Sequence, residues 1–141
     1  LQIYLYSAPA FIFTLFAALR LAKFNVDTRQ TDGFIGLATP AATIFVIGLL
    51  LMFLHNTFGL AAILFSPAVL YGSTLVMALL MISEIPMFAF KFKSYGFKQN
   101  QVRYLFIILS VLLLASLKLA AISIIILLYI LVSITQKLST K

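Results

Sequence analysis

The sequence predicts an all-α fold, a polytopic bundle of transmembrane helices with about five spans. Three observations point there. Hydrophobic residues make up 64% of the 141 and charged residues only 9%, where ordinary soluble domains carry about 25% charged residues. The apolar residues fall into long runs, and the mean hydropathy is +1.18. The ten Lys and Arg residues sit in short gaps between those runs. A soluble fold of this length would lack a polar coat, whereas a bilayer serves as solvent for the apolar outside of the helices.

Five segments follow in order. The first is 1–19, with Pro9 inside it, and the second is 38–54, opened by Pro40. The third is 58–82, in which Pro67 and Gly72 could mark a broken helix, with a kink as the cheaper reading. The fourth is 102–117 and the fifth 119–135. Each is near the roughly 17–25 residues that cross a ~30 Å hydrocarbon core. The last two are not one helix, which would run roughly 50 Å. It would also put Lys118 at mid-membrane, where a charge costs ~3 kcal/mol on insertion scales. A tight turn at Ser116–Lys118 brings that lysine to the surface, although no Gly or Pro marks it. The chain begins inside an apolar run without an initiator Met or a basic leader, and it reads as the C-terminal part of a larger bundle. With no repeat and no linker, residues 1–141 read as a single domain.

Charge placement sets the orientation. Arg20, Lys23, Arg29, Lys91, Lys93, Lys98, Arg103, Lys137 and Lys141 share one side, and Lys118 stands alone on the other. The positive-inside rule makes the first side cytoplasmic, with the C-terminus there. In a soluble chain the net charge of +7 would suggest a nucleic-acid partner. Here the basic residues serve a membrane boundary, and no nucleic acid is expected. The aromatic–basic stretch Phe88, Phe90, Phe92, Tyr95 and Phe97 with Lys91, Lys93 and Lys98 reads as an interfacial belt facing anionic headgroups.

Few residues can carry chemistry. The absence of cysteine excludes disulfides and thiolate metal sites. His55 lies in a short outer turn without a carboxylate or second His nearby in sequence, and reads as a loop residue. The acids are Asp27, Asp32 and Glu84. Glu84, at the end of the third segment, reads as a partner for a basic residue of a neighbouring loop, with a substrate role as the alternative. No P-loop and no nucleophile elbow occur.

The informative stretch is 18–42, ALRLAKFNVDTRQTDGFIGLATPAA. Arg20 and Lys23 are three apart and project from one helical face. Asn25 follows at the helix exit, then a polar loop with Gly33 and Gly36, then a helix start at Thr39-Pro40. Two cations beside a Gly-containing loop and a helix N-terminus can form an anion site. They can equally be membrane anchors with snorkelling stems.

This stretch resembles bacterial and archaeal phosphatidylserine synthases, which belong to the CDP-alcohol phosphatidyltransferases. Their pattern A-x-R-L-A-R/K-F-N stands here as Ala18-Leu19-Arg20-Leu21-Ala22-Lys23-Phe24-Asn25. Their F-x-G-L-P-x-P-A-A stands as Phe34-Ile35-Gly36-Leu37-Ala38-Thr39-Pro40-Ala41-Ala42, with Ala38 where the family often has Pro. The segment from Met81 to Phe88, ending in Lys91-Phe92-Lys93, is similar to the family's cytoplasmic loop, and an apolar hairpin follows in both. The resemblance spans essentially the whole chain.

The resemblance implies an enzyme, a CDP-diacylglycerol–serine O-phosphatidyltransferase. It would move a phosphatidyl group from CDP-diacylglycerol to L-serine in phospholipid biosynthesis, releasing CMP. It implies a prokaryotic inner (cytoplasmic) membrane location, a divalent metal (Mg or Mn), and a homodimer as an allowed assembly. It implies substrate binding by Arg20, Lys23, Asn25, Gly36, Thr39 and Pro40. The family's aspartate motif, D-G-x2-A-R followed by G-x3-D-x3-D, does not occur in these residues. No catalytic residue and no metal ligand is therefore assigned here, and the 141 residues alone are expected to release no CMP. The competing readings are a transporter fragment, a non-catalytic membrane scaffold and a sibling enzyme with another alcohol acceptor. Against a transporter, the apolar runs hold almost no ionisable residues along a mid-membrane path.

Orientation is testable by single-cysteine labelling with an impermeant reagent in intact cells, against a chain with no native cysteine. Labelling is expected at positions 55 and 118 and not at 29, 98 or 141. Labelling at 98 but not at 55 reverses the assignment.

Overall fold

The computed structural model describes residues 2–29, 33–89, 96 and 100–139. They are overwhelmingly helical. The main helices are α1 (Gln2–Val26), α2 (Thr39–Leu54), α4 (Pro67–Ile82), α5 (Gln101–Leu117) and α6 (Ala121–Ser139). A one-turn helix, α3 (Ala61–Leu64), precedes α4, and 3-10 turns occupy Thr57–Gly59 and Lys118–Ala120. Two helical stretches are long and apolar enough to cross a membrane: Ser7–Val26, of 20 residues, and Gln101–Leu138, of 38. The second comprises α5, a 3-10 turn and α6. The other two main helices are apolar but shorter, at 16 residues each.

The helices begin and end where local chemistry dictates. Helix α2 starts with Pro40 in its first turn, where a missing N–H costs nothing. Helix α1 runs through Pro9 and continues past Leu19 to Val26, seven residues beyond the expected span. Its last turn carries Lys23, on the side of the dipole that favours a cation. The third segment, 58–82, is not one continuous helix. Pro67 does not kink a long helix but starts α4. Ser66 takes an extended conformation before it, and the Ser66 Oγ accepts from the Val69 N–H at 3.4 Å. A residue preceding proline is disfavoured in the helical region; Ser66 takes the extended alternative and breaks the run there, whereas α1 continues through Ala8-Pro9. What lies upstream is a chain of turns, in which Asn56 and Phe58 adopt positive φ.

The turn between the last two segments falls at Lys118, whose φ of 52° reverses the chain without glycine. Phe106, in the first half of α5 and twelve residues before Lys118, faces Tyr129, midway along α6 and eleven residues after it, with ring centroids 6.1 Å apart. The two helices thus run antiparallel as a hairpin.

One element departs from the all-α expectation. Phe34–Ile35 (β1) and Pro86–Met87 (β2) pair antiparallel, Phe34 opposite Met87 and Ile35 opposite Pro86. This short ribbon ties the α1–α2 loop to the α4–α5 connection. Helix α1 packs on α4, α2 on α6, and α5 on α6. The core holds Leu37, Phe45, Met77, Met81, Met87, Phe106, Tyr129 and Ile130. The outside is apolar as well: Phe11 is 74% exposed and Val111 and Leu112 59% each. The aromatic–basic belt lies outside the described residues except for Phe88, which packs its ring 4.9 Å from that of Tyr129.

Helix α2 approaches α6 closely at Gly48. The Ser123 hydroxyl of α6 donates to the Phe45 carbonyl at 2.8 Å. A Cβ on Gly48 would collide with that hydroxyl and stand 2.8 Å from the Ser123 backbone nitrogen. Gly72, in α4, has nothing within 4 Å of where its Cβ would be. Gly48→Ala is therefore expected to destabilise by roughly 1–3 kcal/mol through overpacking, outweighing the ~1 kcal/mol gain in helix propensity. Gly72→Ala keeps the propensity gain and is expected to be neutral or stabilising. Thermal unfolding of both variants in detergent checks the contrast.

Candidate functional site

The polar site forms where the end of α1 meets the loop leading into α2. The loop is held by its backbone. The Gly36 N–H donates to the Ile85 carbonyl at 2.8 Å, and the Leu37 N–H to the Leu80 carbonyl at 2.9 Å. Gly36 has φ 79°, and a Cβ there would stand 2.6 Å from the Met81 oxygen and 2.8 Å from that of Ser83. Only glycine permits both the conformation and the approach. Gly36 is therefore a docking residue, with its own backbone spent on α4.

The docked loop presents the Leu37 carbonyl to Arg20. The Arg20 Nε donates to it at 3.3 Å, and the guanidinium lies 5.2 Å from the centre of the Phe24 ring. Arg20 is only 4% exposed. No carboxylate among the described residues pairs with it. Lys23 differs. Its Nζ donates to the Ile82 carbonyl and to Glu84 Oε1, both at 3.1 Å. The two cations share a helical face as expected, but Glu84 compensates Lys23, and among the described residues no carboxylate compensates the buried Arg20.

The pairing expected of Glu84 is present, and it extends further than the sequence suggested. Arg29 also reaches Glu84 Oε1, at 3.5 Å, and grips Asp27 through Nε at 2.9 Å and Nη2 at 2.8 Å. The Arg29 backbone N–H donates to the same Asp27 carboxylate, closing a local turn. Arg29 thus links Asp27 to Glu84, 57 positions further along. Its role escaped sequence reading because Arg29 sits in a polar loop of no special pattern. The clue was the Asp-x-Arg spacing, which suits a side chain folding back on its neighbour.

Of the remaining candidates, Thr39 is half-buried at the start of α2, while Asn25 and Pro40 are exposed. Thr39 gives its carbonyl to the Thr43 hydroxyl at 3.0 Å. The first turn of α2 lies beside Leu37, and its backbone N–H groups point out of the helix end. Chemically the arrangement is anion-friendly, with a desolvated guanidinium next to a helix N-terminus.

Among the described residues no three His, Asp or Glu side chains cluster. Asp27 and Glu84 are committed to Lys23 and Arg29. Asp32 lies outside the described residues. The donor set does not fit the divalent ion that the resemblance implies. No protein-family model, characterised protein or solved structure matches the chain.

The ion-pair cluster has a pH signature. Hydrogen bonds from the Arg29 side chain hold the Asp27 carboxyl down at about 2. The Glu84 carboxyl is also lowered, by the hydrogen bonds of Lys23 first and Arg29 second. A depressed carboxylate contributes its stability above the unfolded-state value of about 4 and loses it as pH falls toward the folded value. The melting temperature is therefore expected to drop as pH is lowered from about 5 toward 2. In Asp27→Asn part of that dependence disappears, which acid titration of thermal unfolding reads directly.

Proposed function

We propose that this chain is part of an integral membrane phosphatidyltransferase and supplies the cationic face that holds the phosphates of its substrates. CDP-diacylglycerol is the donor and L-serine the acceptor. The single observation that carries the reading is Arg20: a guanidinium 4% exposed, without a carboxylate partner among the described residues. A buried charge of this kind is costly unless something balances it. The pyrophosphate of a CDP-lipid or the carboxylate of serine would do so, through two parallel hydrogen bonds.

The membrane setting supports the reading. We propose five crossings, by α1, α2, α4 extended through α3, α5 and α6, with the Arg20 end cytoplasmic. Arg20, Lys23, Arg29 and Glu84 share that end. His55 and Lys118 line one cavity of about 300 Å³ at the other. Helices of 16 residues span about 24 Å, so α2 and α4 need the flanking turns to reach both surfaces. The described residues have a role limited to binding and orienting: Arg20 holds the anion, and the Lys23–Glu84 pair fixes the α1 exit against α4. The carboxylate chemistry of the reaction is assigned to no residue of this chain.

The test is steady-state release of CMP by the full-length protein, with folding checked by gel filtration in detergent. Losing a desolvated charge-assisted contact costs a few kcal/mol. Arg20→Ala is therefore expected to lower kcat/KM by about a hundredfold or more. Arg29→Ala, which removes an exposed cation that does not touch Arg20, is expected to change it little. Near-wild-type turnover in well-folded Arg20→Ala would reduce Arg20 to a membrane anchor and end the proposal.

A further inference from the structure

The cavity of about 300 Å³ at the end of the bundle away from Arg20 brings two turns together. The turn after α2 contributes His55, Thr57 and Phe58, and the turn between α5 and α6 contributes Lys118 with Leu117 and Leu119. No acid lines it, and residues 55–60 and 116–119 are all described. Among the described residues no hydrogen bond or ion pair holds the Lys118 ammonium. The chain has three acids in all. Asp27 and Glu84 are tied to Lys23 and Arg29 at the α1 exit. Asp32 is one peptide bond, about 3.8 Å between Cα atoms, from Gly33. A Cβ on Gly33 would stand 3.0 Å from the Met87 oxygen of the ribbon. The 16 residues of α2, about 24 Å of helix, separate that end from the cavity.

Two of the lining residues hold a backbone that suits glycine. Phe58 has φ 61° and ψ 14°, and Lys118 has φ 52° and ψ −121°. A β-carbon makes such conformations unfavourable, and glycine takes them readily. A phenyl ring and an ammonium nevertheless occupy these positions, and both line the same cavity. Side chains kept at strained positions are candidates for function. The His55 ring is fixed as well, with Nδ1 3.0 Å from the Leu51 carbonyl. A carbonyl only accepts, so Nδ1 carries the proton. Nε2 then accepts from a hydroxyl when the ring is neutral and donates to an oxygen when it is charged. Thr57, half-buried, adds a hydroxyl. An ammonium, an imidazole and a hydroxyl beside Phe58, Leu117 and Leu119 suit a phosphate ester. Its oxygens take the polar groups and its carbon part the apolar side chains.

We propose that this cavity is a phosphate-ester site. The ester belongs to an anionic lipid headgroup or to a free phosphate compound. The flanks favour the lipid, because Leu54 is 64% exposed and Leu114 47%, as suits residues that acyl chains cover. The site shares no residue with the Arg20 face, so it is independent of the transferase reading.

Photocrosslinking of the full-length protein in vesicles tests it, with peptide mass spectrometry locating the label. The probes are phosphatidylglycerol and phosphatidylcholine, each carrying a photoactivatable group near the headgroup, with inorganic phosphate as competitor. Phosphatidylglycerol is expected to label the two turns more than phosphatidylcholine does. Lys118→Gly, which suits the backbone of the turn, is expected to lower that labelling about tenfold, as loss of one charge-assisted contact would. Lys118→Arg is expected to retain it, and His55→Ala to lower it. Labelling that inorganic phosphate leaves unchanged assigns the site to a lipid headgroup. Labelling that inorganic phosphate displaces assigns it to a free phosphate compound. The proposal is overturned if both probes label the turns equally, or if Lys118→Gly labels like the parent protein. Unchanged labelling in His55→Ala would reduce the site to one surface charge and overturn it too. So would Arg29→Gln, a cation at the other end, if it lost as much labelling of these turns as Lys118→Gly.

Discussion

Everything at the polar end of this bundle depends on one backbone contact, the seating of Gly36 and Leu37 on the end of α4. A helix ends with carbonyls that have no partner within it, and in an apolar setting such groups must find donors. The N–H of Leu37 supplies one to Leu80, and that of Gly36 supplies one to Ile85 just beyond the helix. With the loop seated, the Leu37 carbonyl turns toward Arg20 and the Ile82 carbonyl receives Lys23. The ribbon between Phe34–Ile35 and Pro86–Met87 continues the same attachment. A β-carbon at position 36 would obstruct the contact.

The helical frame was largely legible in the sequence because apolar run lengths and proline positions are local signals. The second, fourth and fifth segments match α2, α5 and α6 to within a few residues at each end. The third differs because Ser66-Pro67 starts a helix rather than kinking one: the Ser66 hydroxyl caps the first turn, and proline at the first helical position has no N–H to leave unpaired. The ribbon was not legible. Its strands are two residues each, too short for an alternation pattern, and they pair across about fifty positions of chain.

The candidate site divides along the same line. Arg20, Lys23 and Glu84 stood out because charges at the edge of apolar runs are rare. Their pairing was only partly readable. The sequence put Arg20 and Lys23 on one face, yet it could not say which of them Glu84 would neutralise. That depends on how α1 and α4 lie against each other, and it comes out as Lys23 bound and Arg20 left with a carbonyl. A cavity beside Arg103 and Lys137 was likewise hidden, since it exists only once the α5–α6 hairpin folds back and brings residues 34 positions apart into one lining.

Among the described residues, the three non-glycine residues with positive φ, Asn56, Phe58 and Lys118, all belong to the end of the bundle away from Arg20. Each of these backbone conformations is sterically unfavourable for a side-chain-bearing residue, at a cost on the order of 1 kcal/mol. The opposite end is fastened by a ribbon, two cross-loop amide bonds and a linked set of ion pairs. The molecule is thus mechanically polar, clamped at one face and sprung at the other. Pulled from its two faces, it would give first at the turns around Phe58 and Lys118, while the clamp around Gly36 would be among the last parts to part.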